Sequence, residues 1–336
     1  MTARITDAET LQRCIGALPG PRDLKVIDHL DAYAMRWLQA SPLAFFGFGD
    51  AQGMAITLGG GAAGFARPAD ALTLDLPQDG LDEPRLARPG QSFCSLWLLP
   101  GLGETLRING QVARVEDGRI GLGVRECYLH CAKALIRSDF WQAQPAPAAD
   151  PLTPPQAAAQ SRFLVLATVN AAGQADLSPK GDPAGALLQA DDTALWLPDR
   201  PGNRRVDSFR NLLEQPRLSL AALVPGQTRL LHVSGVATLT TDAAARARLA
   251  VGDKPPRLVM RIAPAQWALR DSKALAAAAL WPAAEPPGDL DPADIFKAHV
   301  RLNRSGGVQA AMVRAVAAVP GLVRRGLDQD YKKNLY

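Results

Sequence analysis

The stretch RFLVLATVNAAGQADLSPKG, residues 162–181, opens with a short apolar run, turns at Gly173 and continues into a second run ending in Ser178, Pro179, Lys180 and Gly181. Two short apolar runs around a glycine turn are the pattern of a β-hairpin. An earlier stretch, PLAFFGFGDAQGMAITLGGG at residues 42–61, repeats the order of strand, turn and strand, with Gly53 placed 120 positions before Gly173.

Four further matches follow in the same order. ALTLDLPQD (71–79) corresponds to ALWLPDR (194–200), and SFCSLWLLPG (92–101) to RLSLAALVPG (217–226). LRINGQVARV (106–115) corresponds to LHVSGVATLT (231–240), which sets Gly110 against Gly235. YLHCAKALIRSDFW (128–141) corresponds to ALRDSKALAAAALW (268–281), which sets Lys133 against Lys273 and Trp141 against Trp281. The offset grows through insertions, the largest being the helix-like TTDAAARARLAVGDK at 240–254. Five matches in one order point to an internal duplication. Each half reads as six or so short strands with a helix at its end, and closely spaced strands with few helices suggest a barrel or a sandwich.

The segment between the halves is rich in Pro and Ala and reads as a semi-rigid linker. The expected organisation is a first domain at 1–143, a linker at 144–160, a second domain at 161–285 and a basic helical tail at 286–336. The tail from Lys297 to Tyr336 holds eight Lys and Arg against two Asp, while the whole chain of 336 residues carries only +4. A basic surface of nucleic-acid-binding size is therefore not expected outside the tail. With 47% hydrophobic and 21% charged residues, the composition is that of a globular protein. Four cysteines in this length do not make a disulfide scaffold, and no apolar segment reaches membrane-spanning length. The expectation is a cytoplasmic protein.

The chemistry concentrates in DRPGNRRVDSFRN, residues 199–211. Val206, Phe209, Leu212 and Leu213 have helical spacing, so the turn ends at a helix N-terminus. Unpaired backbone N–H groups there, joined by Arg204, Arg205 and the Ser208 hydroxyl, would make a phosphate site. The bland alternative is a solvated helix start whose arginines pair with surface carboxylates. Ser178 and Lys180 are two apart and share one face of a strand. CYLHC at 127–131 invites a metal reading, but it holds only three soft ligands at helical spacing, so no metal is expected. His130 and Arg137 are expected to share a helical face with Lys133.

FLVLATVNAAGQADLSPKGDP, LWLPDRPGNRRVDSFRNLLEQPRLSLAALVPG and LHVSGVATL together resemble the FMN-binding split-barrel flavoproteins, the pyridoxamine 5′-phosphate oxidase-like family. They are most similar to a branch whose members end in a motif like HCAKALIRSxxW. The resemblance implies an α+β fold, mainly β: two tandem split barrels followed by the helical tail. Family members pair as homodimers with FMN in a groove between subunits, and both partners contribute to each site. By that resemblance Asn203, Arg204, Arg205 and Ser208 hold the FMN phosphate, with Asp199 and Arg200 in the same turn. Ser178, Pro179 and Lys180 face the ribityl chain or flavin edge, and His130, Lys133, Arg137 and Trp141 come from the terminal motif.

The two halves differ in a complementary way. Where the second half has LSPKG and DRPGNRR, the first has TLGGG and the acidic QDGLDEP, residues 78–84, which would repel a phosphate dianion. The first half keeps His130, Lys133, Arg137 and Trp141, of which the second retains only Lys273 and Trp281. A fused pseudo-dimer with one composite FMN groove per chain is the expectation. The implied function is FMN-dependent oxidoreduction of a small molecule, with His130, Lys133 and Arg137 as candidate catalytic groups. The alternative is a flavin-binding carrier or sensor without turnover. Further homodimerisation stays open.

Overall fold

In the computed structural model, residues 4–16, 22–145, 152–202, 206–319, 321–333 and 335–336 are described. A short strand β1 (Arg4–Ile5) precedes two sheets. The first comprises β2 (Leu43–Asp50), β3 (Gly53–Gly60), β4 (Arg67–Pro68), β5 (Thr73–Pro77), β6 (Ser92–Leu98), β7 (Thr105–Glu116) and β8 (Arg119–His130). The second comprises β9 (Phe163–Val169), β10 (Ala175–Gly181), β11 (Gln189–Ala190), β12 (Leu195–Pro198), β13 (Arg217–Leu223), β14 (Arg229–Thr240) and β15 (Val259–Asp271). Their spatial orders, β3-β2-β6-β7-β8-β5-β4 and β10-β9-β13-β14-β15-β12-β11, are the same topology built twice. All the pairings are antiparallel. The chain is thus α+β, two tandem split barrels with C-terminal helices.

The duplication extends to backbone detail. The ladder shifts register at Asn109/Gly110 in the first barrel and at Ser234/Gly235 in the second. A Cβ on Gly110 would stand 1.9 Å from the Gly123 carbonyl oxygen, and one on Gly235 would stand 2.4 Å from that of Ala263, so both bulges require glycine. Helices Lys133–Arg137 and Lys273–Ala278 follow β8 and β15 and end near left-handed residues, Asp139 at φ 46° and Ala279 at φ 44°. Each helix packs on the hairpin of the other half. Gly60 lies under the Ala274 carbonyl and Gly181 under the Ala134 carbonyl, at distances that exclude a side chain. These two contacts are pseudo-twofold mates.

Residues on β2 alternate between two apolar environments. Ala44, Phe46 and Phe48 fill the first barrel, while Leu43 and Phe45 point into a layer shared with Phe163, Val165, Ala167 and Leu177 of the second. Leu164 and Leu166 fill the second barrel. Both faces of β2 and β9 are buried, which explains why LAFFGFG and FLVLATV are continuous apolar runs. Phe140 sits in the shared layer against Phe163, Trp141 and Trp281. Across the seam Ser92 Oγ donates to the Gly173 carbonyl at 2.7 Å and Ser219 Oγ to the Met54 carbonyl at 2.6 Å.

Several expectations shift. The second hairpin has one more residue than the first: Phe163 pairs with Gly181, whereas Leu43 pairs with Gly60. Lys180 therefore corresponds to Gly59, and Ser178 to Thr57, one place from the alignment of LSPKG with TLGGG. The linker is not wholly irregular, because a capping box at Thr153 and Gln156 starts a helix, Pro154–Gln160, that buries Ala157 and Ala158 in the second barrel. The N-terminal segment also crosses over: β1 pairs with β14, and Leu11 and Ile15 join the second core. In the tail, Leu290 and Ile295 pack on the first core, followed by helices Val308–Ala318 and Leu322–Lys333. No helix among the described residues is long and apolar enough to cross a membrane.

The shared layer predicts a strong dependence on Phe140, which is fully buried. Phe140→Ala should lower stability by about 3–5 kcal/mol, read as a fall in the thermal unfolding midpoint; a loss below about 1 kcal/mol would show that the barrels are held together elsewhere.

Candidate functional site

A cavity of about 590 Å³ opens where the end of the first barrel meets the second. That volume lies within the range of roughly 300–1,000 Å³ common for small-molecule sites. His130, Lys133 and Arg137 reach it from the first half, and Ser178, Pro179, Lys180, Asp199, Arg200 and Ser208 from the second. Asn203, Arg204 and Arg205 lie outside the described residues. Trp141 does not line the cavity; it packs on Phe140 and donates from Nε1 to the Leu102 carbonyl at 2.6 Å. Charged side chains on the wall include Lys133, Arg137, Lys180, Arg200 and Arg257 against Asp182, Asp199 and Asp330, a net excess of positive charge.

Each side chain is placed by its element. Alternation along β10 turns Ser178 and Lys180 to one face, as their spacing requires. His130 is the last residue of β8, paired with Thr105, and the helix begins only at Lys133. The helical spacing expected for CYLHC is therefore a strand, whose alternation buries Cys127 within the first core. His130 still reaches the cavity because the chain turns directly into the helix carrying Lys133 and Arg137.

A cross-barrel ion pair underlies the floor. Arg107 of β7, 2% exposed, donates from a terminal nitrogen to Asp176 of β10 at 2.8 Å. The other Asp176 oxygen accepts from Ser208 Oγ at 2.5 Å. Burial alone would raise the Asp176 pKa, but Arg107, Ser208 and Lys180 outweigh it and hold the carboxyl below its ordinary value. The Ser208 hydroxyl thus donates to Asp176 while its residue still lines the cavity. It ties the start of helix Asp207–Glu214 to the seam. Arg200 is also anchored: its Nε donates to Asp182 at 2.6 Å and a terminal nitrogen to the Leu249 carbonyl at 2.8 Å.

Other polar groups are left available. Among the described residues Lys180 makes no hydrogen bond or ion pair, and its ammonium lies 5.3 Å from the Phe209 ring centroid. Burial lowers its pKa, partly opposed by Asp199 and Asp176. His130 Nδ1 is buried with no partner, and burial together with Arg107 and Lys25 holds its pKa well below the usual imidazole value. His130 is therefore a neutral imidazole near pH 7. Asp182, whose Oδ2 accepts from Arg200, also lies against the Tyr336 side chain. Burial pushes Asp199 up to about 6 despite Lys180 and Arg137 nearby.

The equivalent place in the other half is filled by protein. Asp82 accepts from Ser272 Oγ at 2.6 Å and from the Ala274 amide at 3.0 Å, capping the second-half helix. Arg270, the counterpart of His130, pairs with Glu83 at 3.4 Å. At Gly59, the counterpart of Lys180, Phe46 and Phe65 crowd the space a side chain would need.

Residues 156–271 match the sequence family described as pyridoxamine 5′-phosphate oxidase. No curated protein matches the chain. Among solved structures, HupZ of Group A Streptococcus is 22% identical, covering 34% of this chain and 88% of its own, with a TM-score of 0.27. General Stress Protein 26 from Bacillus anthracis is 14% identical, covering 34% and 87%, with a TM-score of 0.27. A putative pyridoxamine 5′-phosphate oxidase from Lactobacillus delbrueckii is 23% identical, covering 32% and 84%, with a TM-score of 0.26.

Two outcomes follow from these electrostatics. The folded state holds the Asp199 proton more tightly than the unfolded chain, so this group costs stability as pH rises through about 6. Asp199→Asn should stabilise the protein on the order of 1–2 kcal/mol above pH 7, an advantage that vanishes below pH ~4; urea unfolding at both pH values measures it, and equal gains at both would contradict the assignment. Asp176→Ala should cost about 3–5 kcal/mol by stranding buried Arg107, whereas Arg107→Met combined with Asp176→Leu should cost much less. An equal loss in the two variants would locate the effect in packing instead.

Proposed function

We propose, from the match of residues 156–271 to the pyridoxamine 5′-phosphate oxidase family, that the chain is an FMN-dependent oxidoreductase with one composite flavin site. The observation carrying this reading is the cavity where His130, Lys133 and Arg137 of one half face Ser178, Lys180 and Arg200 of the other. Among the described residues His130 Nδ1 has no partner and the Lys180 ammonium no ion pair, which fits a ligand with acceptor atoms and negative charge. Both barrels have the same topology, but the counterpart groove is closed by Asp82 and the crowding at Gly59. One site per chain is the consequence.

In this reading Arg204, Arg205, Asn203 and the backbone amides at the helix start hold the phosphate, with Arg137 and Lys133 adding charge across the cavity. Ser178 and Lys180 line the ribityl chain and ring edge. A bound flavin supplies hydride or electron transfer, which no side chain here can supply alone. With a flavin bound, Lys180 would supply a cation beside the ring, which would favour the reduced form and raise its potential. His130, neutral near pH 7, offers an imidazole nitrogen to the flavin or to a small-molecule substrate. The substrate is a compound small enough to share the cavity with the ring.

Titration of the purified protein with FMN, followed by flavin absorbance, should saturate at one flavin per chain. Lys180→Ala and Arg137→Ala should each weaken binding roughly 10- to 100-fold, from a charged hydrogen bond of about 1.5–3 kcal/mol. Two flavins per chain, or no binding at saturating FMN, would rule the reading out.

A further inference from the structure

The last helix and the residues after it converge on the same cavity. Asp330 Oδ2 is 2.8 Å from Lys133 Nζ, and Lys133 is nearly inaccessible to water. Tyr331 donates to Glu104 Oε1 at 2.8 Å. The Leu335 carbonyl accepts from Arg137 Nε at 2.6 Å, and the Tyr336 ring centroid lies 5.4 Å from the Arg137 guanidinium and 5.8 Å from that of Arg200. A carboxylate and an aromatic ring from the tail therefore engage three cations of the wall.

The tail is lightly held. Helix Leu322–Lys333 buries none of its residues. The contacts of the tail with the cavity wall are polar or cation–π, and Asp330 of the Lys133 pair is 43% exposed, so water reaches one partner and weakens it. The tail supplies Asp330 and Tyr336 to the described cavity wall, which otherwise comes from the two barrels and from Ile15 of the N-terminal segment. The groups it engages, Lys133 and Arg137, are cations that an incoming anion would also seek.

Resting on the flavin-groove reading above, we propose that the C-terminal segment is an intramolecular competitor for this cavity: Asp330 and Tyr336 stand in for the anionic and aromatic parts of the ligand, which must displace them. Displacement exchanges one set of charge contacts for another without disturbing either barrel core. The observed affinity is the intrinsic affinity multiplied by the fraction of molecules with the tail released. A ligand lacking either an anionic group or a planar ring gains less from displacing the tail, so the segment also selects for aromatic anions.

Two variants of the full chain test this, one ending after Gly326 and one carrying Asp330→Asn with Tyr336→Ala. Both should bind FMN about 10-fold more tightly than the intact chain. In the intact chain, FMN should speed tryptic cleavage at Lys332 and Lys333 relative to chloride at equal ionic strength. Unchanged or weaker FMN binding in both variants would overturn the proposal, as would slower cleavage with FMN, since the tail would then be part of the binding site. If no form of the protein binds FMN, the flavin reading fails separately. Inorganic pyrophosphate then serves as the anion probe: faster cleavage at Lys332 and Lys333 supports a tail displaced by anions, and unchanged cleavage overturns it.

Discussion

The structure depends on burying β2 and β9 on both faces. Phe46 and Leu164 belong to separate barrel cores, but Phe45 and Phe163, one residue away in each strand, meet in a common layer with ring centroids 6.0 Å apart. A barrel strand with two apolar faces cannot leave one of them in water without exposing a large apolar patch. Each barrel thus requires the other, and the linker serves to supply the partner within one chain. Everything at the cavity, including the Arg107–Asp176 pair across the seam, is built on that enforced contact.

Duplication followed by divergence accounts for the rest. Glycine bulges, left-handed helix ends and the glycine-to-carbonyl contacts of Gly60 and Gly181 are retained in both halves because each is a backbone requirement. Side chains at the two grooves were free to differ. One groove acquired protein contacts through Asp82, Glu83 and Phe65, which fill it and cap the opposing helix. The other kept a positively lined cavity. Losses at one groove fall in the first-half hairpin and turn and in the second-half terminal helix, which are the two elements that face each other there.

Much of this was legible in the sequence. Repeat offsets at Gly53/Gly173 and Gly110/Gly235 identify the duplicated topology because turns and bulges demand glycine whatever packs around them. The missing cations in TLGGG and QDGLDEP announce which groove is closed. Other features were hidden. The register of the second hairpin shifted by one residue because loop length is invisible to a match anchored on glycines. His130 reads as helical because three polar or sulfur side chains in CYLHC mimic helical spacing, although β8 runs through Cys127 and ends at His130. Arg107 and Asp176 had a detectable signal: their counterparts are His232 and Ala55, so the pair exists in one orientation only. The contact of Ser208 with Asp176 could not be read because the two are 32 residues apart. Nothing in the composition of the tail indicated that Asp330 and Tyr336 return to the cavity, since tertiary contacts of an exposed basic helix leave no periodicity.

The central claim is that one cavity is assembled from both halves of the chain. A crystal structure of the protein with FMN tests it most directly. The account predicts one flavin per chain, its density flanked by His130 or Arg137 of the first half and by Ser178 and Lys180 of the second. Density in the groove closed by Asp82, or a flavin touching residues of one half alone, would contradict it.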